Sequence, residues 1–327
     1  MSSLPLDSDL PDSLKNRKFK STQRGKFYEN LVVAGLGFCA LISIGTTIGI
    51  IYVLISESFS FFFDKNISLA EYFSPGDWEF GRLKLEDGES DIQIRHSIWP
   101  LLSGTLRITF VAMVIAMPLG LISAVYLSEY APRRVRAILK PILEILAGIP
   151  TVVLGYFALR FISPYLLVPL GGFDSFNATS AGIAVGILCI PLISSLAEDS
   201  LQAVPKGLRE AAFGLGGTRF DVTVKVVIPA AISGIVSAFL LAFARAVGET
   251  MVVALAAGTN PVMTADLRRP SQTMTGYIVE TFQSEGVVPD TLPYSSLYAV
   301  AFTLFLLTFS ITLFGQYIRK RYQESYE

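Results

Sequence analysis

Two charged residues stand inside one long apolar run, Arg245 and Glu249. Arg245 lies sixteen residues beyond Pro229, a rise of about 24 Å along an α-helix. That depth falls in the middle or outer half of a bilayer. A charge there costs about 2.5–3.5 kcal/mol on insertion scales, so it has to face a bundle interior or a wet cavity. The four-residue spacing puts both side chains on one face of a continuous helix. Two readings are open. Arg245 and Glu249 form a neutral bridge within the helix that only supports packing. Alternatively, Arg245 offers its planar donor fork to an oxyanion, and Glu249 holds Arg245 when no anion is present and weakens binding enough to permit release.

A second chemical stretch is Leu208 to Pro229, LREAAFGLGGTRFDVTVKVVIP. Arg209, Glu210, Arg219, Asp221 and Lys225 keep it out of hydrocarbon. Pro205 suits a helix start, where its missing N–H costs nothing. Gly214, Gly216 and Gly217 suit a helix stop. Thr218 and Asp221 have capping-box spacing, with Asp in place of Glu. The expectation is a short helix, a glycine turn and a second helix outside the bilayer, a candidate docking surface. Glu210 near the start of the first helix is also what the helix dipole alone favours.

Little else in the chain suits covalent chemistry. There is one histidine, His96, set beside Trp99 in a polar stretch, and it reads as an interfacial residue. Cys39 and Cys189 both fall in apolar runs and read as small buried hydrophobes, not a disulfide or metal pair. No P-loop sequence occurs, so ATP hydrolysis through a P-loop of this chain is excluded. An intramembrane hydrolase needs a nucleophile and base at membrane depth, and Lys is absent from the span centres. The net charge of −1 gives no electrostatic case for nucleic acid.

The elements that position these residues are membrane spans. Of 327 residues, 52% are hydrophobic and 16% charged, with mean hydropathy +0.54. That is a polytopic membrane protein, all-α. Six spans are expected. They run 31–55, 108–127, 141–162, 181–197, 230–258 and 296–318. The third contains Glu144, Pro150 and Arg160, with the two charges snorkelling to opposite faces. The first carries Gly45 and Gly49 on one face, which permits close helix contact. Residues 1–29 form a basic tail with Lys15, Arg17, Lys18, Lys20, Arg24 and Lys26, and the apolar run after it reads as an uncleaved anchor. Residues 56–97 are an acidic loop, and 259–294 a long polar one. Glu198 and Asp199 sit at the exit of the fourth span. Asn177-Ala178-Thr179 matches a glycosylation sequon only by its three residues. Lys and Arg cluster in the tail, after the second span, in 203–229 and at Arg319, Lys320 and Arg321. The positive-inside rule therefore places both termini and the docking loop in the cytoplasm.

Glu210-Ala211-Ala212, then Gly216, then Val226-Val227-Ile228-Pro229 resemble the EAA loop of ABC-importer permeases. The spacing matches throughout. Val226 and Ile228 replace the family's Ile and Leu. Residues 104–131 (GTLRITFVAMVIAMPLGLISAVYLSEYA), 148–156 (GIPTVVLGY) and 245–251 (RAVGETM) are similar to phosphate-importer permeases, more to the PstC-type subunit than to its PstA-type partner. The likeness covers roughly 100–320. It implies a type I ABC importer permease fold. The loop 203–229 would be the coupling segment, with Glu210, Ala211, Ala212, Gly216 and Pro229 in its motif. Arg245 and Glu249 would be tied to translocation. The division expected is a tail at 1–29 and a permease domain at 30–327.

The resemblance also implies the machine. A non-catalytic subunit pairs with a PstA-like permease. Two copies of a PstB-like cytoplasmic ATPase hold the ATP and Mg, so no cofactor is expected on this chain. A PstS-like periplasmic protein delivers inorganic phosphate. The place is a bacterial plasma (inner) membrane, in contact with lipid and with no nucleic acid. Rival readings are a permease for molybdate or sulfate, a secondary transporter built on broken helices, and the intramembrane hydrolase.

Overall fold

The computed structural model describes residues 23–63, 67–78, 96–284, 288 and 291–322. No strand occurs among them; one isolated antiparallel bridge joins Trp78 and His96. Contacts divide the chain into two units, Met1–Val53 and Leu54–Glu327. Helix α1, Gln23–Phe63, supplies the described part of the first. Residues 28–50 of this helix are exposed, Leu31, Leu41, Ile50 and Cys39 among them. The expectation that Cys39 is buried is therefore wrong, because a span can turn its apolar residues outward where the surrounding solvent is lipid. An added Cβ at Gly45 or Gly49 would meet nothing within 4 Å. The close helix contact expected there is absent among the described residues.

In the second unit the elements follow in order. They are α2 Leu69–Tyr72, α3 Trp99–Tyr130, α4 Arg133–Ala147, α5 Thr151–Leu170 and α6 Ala178–Gln202. Then come α7 Lys206–Gly214, α8 Arg219–Ala230, α9 Ile232–Val247, α10 Met251–Ala256, α11 Met274–Gln283 and α12 Leu292–Tyr322. Five helices are long and apolar enough to cross a membrane, α1, α3, α5, α6 and α12; α8 and α9 make a sixth if their 68° bend lies within one span.

Helix α6 is the centre. In its most apolar window 67% of residues are buried, against 17% in α12. It packs along α3 and α9. Glycines allow the close approach to α3: a Cβ on Gly182 would lie 2.6 Å from the Val111 Cβ, and one on Gly120 would lie 2.7 Å from the Ile193 Cβ. Without an apolar driving force between helices in lipid, such fit is what holds them together. Asn177 caps α6, accepting from the Ser180 N–H at 2.7 Å, and is fully buried. The sequon match there is thus a helix cap. A main apolar cluster joins α3, α5, α6, α9 and α10, with Ala112, Ala158, Val185, Cys189, Ala242 and Val252 inside it. A second lies where Tyr72, Trp78 and Leu101 meet Tyr277 and Val300. A third joins Ala197, Leu201, Val222 and Ile235 around the root of the docking loop.

Two spans and one loop need correction. The third span does not run from Pro141 to Ile162. Helix α4 stops at Gly148, whose N–H bonds the Glu144 and Ile145 carbonyls. Pro150 has an extended ψ of 134° and precedes the first turn of α5. Glu144 and Arg160 therefore sit on different helices. The apolar composition carries straight across this break, so hydropathy alone does not register it. The fifth span is broken too, ending at Val247 and resuming as α10. The loop 259–294 holds α11, with Met274 and Tyr277 buried. The remaining spans lie inside the observed helices, with α6 and α12 each extending beyond the expected span at both ends. In α3, residues Tyr126–Tyr130 form a wider π turn, as do Ala158–Leu167 in α5 and Thr223–Val227 in α8. The acidic loop around 79–95 and the tail at 1–22 lie outside the described residues.

Candidate functional site: a charged cavity and an exposed polar loop

Helices α4, α6 and α9 line an open cavity of about 780 Å³. Lys140 and Glu144 line it from α4, Ser194, Ser195 and Glu198 from α6, and Arg245 from α9; Glu249, just beyond α9, lines it too. A charged lining inside a membrane bundle is expensive and marks a polar path.

The structure brings Arg245 and Glu249 to this cavity but does not pair them. Helix α9 stops at Val247, and the Gly248 N–H returns to the Ala244 carbonyl at 3.2 Å. Glu249 therefore leaves the face that a continuous helix would share with Arg245. No ion pair or hydrogen bond joins the two. The intrahelical bridge, common to both sequence readings as a resting contact, is absent. Glu249 is 8% exposed. Its Oε1 accepts from the Val252 N–H at 3.5 Å, and its backbone carbonyl accepts from the Thr275 hydroxyl at 2.7 Å. So α11 fixes the Glu249 backbone. Arg245 is exposed and holds no partner among the described residues.

The residue that sequence reasoning left out is Glu198. It is 1% exposed, inside α6 rather than at its exit. Arg136 donates to its Oε1 through Nη2. Gln202 donates to the same oxygen at 2.9 Å, and the Lys140 ammonium lies 3.5 Å from Oε2. Both cations come from α4, which has no buried residue of its own. A buried carboxylate without a partner is strongly unfavourable, so this cluster ties α4 to α6. The available signal was a carboxylate in an apolar helix facing two basic residues one turn apart.

The 203–229 loop has the expected local form. Pro205 stands just before α7, one place earlier than the first helical residue. Gly216 takes φ +85°, a left-handed conformation that a side chain would strain. Thr218 and Asp221 make the reciprocal capping box at the head of α8. Arg209 turns inward, donating to the Leu201 carbonyl at 2.5 Å and lying 3.3 Å from Glu129. Glu210 and Ala211 turn outward, Ala212 is half-buried, and Gly216 and Pro229 are exposed. Around them stand Phe213, Phe220 and Leu215, the last 91% exposed.

On the far side of the cavity the 258–273 loop folds over α3. Arg107 donates to the Ser271 hydroxyl at 2.7 Å and to the Asp266 carbonyl at 3.1 Å. The Asp266 carboxyl is held below the usual carboxylate range, chiefly by its hydrogen bonds from Arg268. His96 is buried against Glu71, 3.2 Å from its Nδ1, rather than freely interfacial.

Residues 116–324 match the family described as binding-protein-dependent transport system inner membrane component. The chain is 34% identical over 237 residues to the phosphate transport system permease protein PstC of Mesorhizobium japonicum, covering 67% of this chain and 72% of that one. It is 32% identical to PstA 1 of Mycobacterium tuberculosis, covering 69% and 72%. With the probable ABC transporter permease protein YqgH of Bacillus subtilis it shares 26% over 86% and 88% of the two chains. Among solved structures, an alginate-importing bacterial ABC transporter aligns with TM-score 0.61 at 14% identity, over 91% of this chain and 100% of that one. The inward-facing MetNI methionine transporter aligns with TM-score 0.52 at 22% identity, over 69% and 94%. These two speak to the fold alone. The chain is a multi-pass membrane protein with the type I ABC importer permease fold, and it belongs to the family of binding-protein-dependent transport system inner membrane components.

Proposed function

We propose that this subunit carries inorganic phosphate through the cavity between α4, α6 and α9, as half of a heterodimer with a PstA-like permease. The observation that carries the reading is Arg245. It is a cation at membrane depth, facing a cavity, with no partner among the described residues. A guanidinium left unpaired in such a place is stabilised when an anion arrives. Relatives named as phosphate permeases, at 30% identity and above, supply the choice of anion. Arg245 stands thirteen residues along α9, a rise of about 20 Å. Glu249, beyond the helix end, repels an anion on Arg245 without neutralising the guanidinium, which favours release over retention.

No residue of this chain breaks a bond in the scheme. Energy comes from two copies of a PstB-like ATPase, which hold ATP and Mg. Helix α7 docks in them with Glu210 and the exposed Phe213 and Leu215. Arg209 ties α7 to the ends of α3 and α6, so motion of the ATPases reaches the cavity walls as a two-state rearrangement. A periplasmic PstS-like protein supplies phosphate on the other side. The setting is the bacterial inner membrane, with both termini and the coupling loop in the cytoplasm. The decisive experiment is uptake into proteoliposomes holding this chain, its partner permease and the ATPase, with binding protein outside. ATP-dependent accumulation of radiolabelled phosphate is expected. Accumulation of molybdate or sulfate instead would reject phosphate as cargo and keep the importer.

A further inference from the structure

We propose that Lys140 of α4 and Ser194 of α6, which line the cavity, and Arg136, which lines the groove that shares Lys140 and Glu144 with it, form a second oxyanion-binding station at the cavity edge, to which an anion passes after leaving Arg245. The cargo in this statement rests on the transport reading above; the binding does not. Helices α6 and α9 run antiparallel. The Cys189 thiol lies 3.8 Å from the Ala242 carbonyl, whereas Ser200 lies against Gly234. Arg245 is therefore near the Cys189 level of α6, and Glu198 is nine residues further on, about 14 Å along the helix axis. The cavity reaches both levels. An anion moving from Arg245 toward the coupling loop thus meets the α4 cations.

Those cations have capacity to spare. Arg136 and Lys140 face one carboxylate, Glu198, so one positive charge is left over. Guanidinium and ammonium carry five and three N–H donors between them and water, and Glu198 engages each through a single nitrogen. Their side chains remain 35% and 37% exposed, while Glu198 is shut in beneath them. Arg133 adds a third cation beside them, in a groove of about 390 Å³ that also holds Ala137 and Glu144. Ser194 stands one turn before Glu198. It is fully buried, lines the cavity, and its hydroxyl has no hydrogen-bond partner. Ser200 on the same helix bonds back to the Leu196 carbonyl at 2.8 Å; Ser194 makes no such bond and remains an uncommitted donor. A tetrahedral oxyanion has enough oxygens to bridge a guanidinium, an ammonium and a hydroxyl. Glu144 faces the same space and weakens the hold, which suits a station on an exit path.

The test uses the assembled transporter in nanodiscs, with Cys39 and Cys189 replaced and Ala137→Cys as reporter. An anionic methanethiosulfonate reagent labels the reporter, and inorganic phosphate is the probe, against chloride at equal ionic strength. Phosphate is expected to slow labelling severalfold. Protection should weaken about tenfold in Lys140→Gln, the loss of one charge-assisted hydrogen bond, and return in Lys140→Arg. Lys140→Gln leaves Arg136 and Gln202 on Glu198, so the fold is kept. A labelling rate indifferent to phosphate, or equal protection in Lys140→Gln, overturns the station. Protection by phosphate in a transporter that imports none supports the station and rejects the transport reading instead.

Discussion

At the scale of single residues, Arg245 is the sharpest test of the cavity. It has no carboxylate partner, so its loss removes a donor fork without stranding another charge. Arg245→Lys keeps the charge and loses the fork. Phosphate uptake should fall about tenfold or more in that variant, with assembly and basal ATP hydrolysis intact; normal uptake in both Arg245→Lys and Arg245→Gln would remove Arg245 from the path. The sequence made Arg245 and Glu249 legible because charges in an apolar run stand out. It did not show that they are unpaired, since that depends on Gly248 ending the helix. Glu198 was visible as a residue but not as a site, because its partners Arg136 and Lys140 lie more than fifty residues away and meet it only through packing.

At the scale of elements, fit and exposure make separate demands. The α3–α6 seam depends on small residues. Gly182→Leu would drive side-chain atoms into Val111, and overpacking of this kind costs about 1–3 kcal/mol. The detergent-solubilised chain should melt at lower temperature, with Gly182→Ala intermediate; an unchanged melting temperature would mean the seam has slack. Helix α7 is the opposite case, folded to present rather than to bury. Glu210→Lys reverses a charge on its outer face and touches no internal contact. It should abolish co-purification of the ATPase and ATP-driven uptake while leaving the chain in the membrane; full uptake and co-purification would show that Glu210 is only a solvated carboxylate. The turn signals of this loop, Gly216 and the Thr218–Asp221 box, were readable because they are local. The break at Gly148–Pro150 and the helix α11 were not. One is hidden by continuous apolar composition, and the other depends on Met274 and Tyr277 finding a tertiary core.

At the scale of the whole molecule, the distribution of Lys and Arg predicts an orientation that can be tested. A cysteine at Met263, in the exposed loop over Arg107, should react with an impermeant thiol reagent added outside sealed cells, in a background lacking Cys39 and Cys189. One at Arg219 should react only after permeabilisation. Labelling of Arg219→Cys from outside would invert the molecule. The cavity is walled by α4, α6 and α9 of this chain, and α4 buries nothing of its own. Val135, Leu139, Leu143 and Leu146 are only half-buried, so the Glu198 cluster is the strongest polar tie of this wall to α6.

The π turn at Tyr126–Tyr130 carries one more consequence. A residue added to a turn rotates every side chain beyond it by about 100° relative to an unbroken α-helix. In α3 the phase therefore changes just before the chain leaves the bundle. The new phase brings Glu129 round to Arg209, 3.3 Å away, and sets the Tyr130 ring 5.7 Å beneath the Arg219 guanidinium. One widened turn thus lets a single helix keep two alignments, one facing α6 through Gly120 and the other gripping both arms of the 203–229 loop.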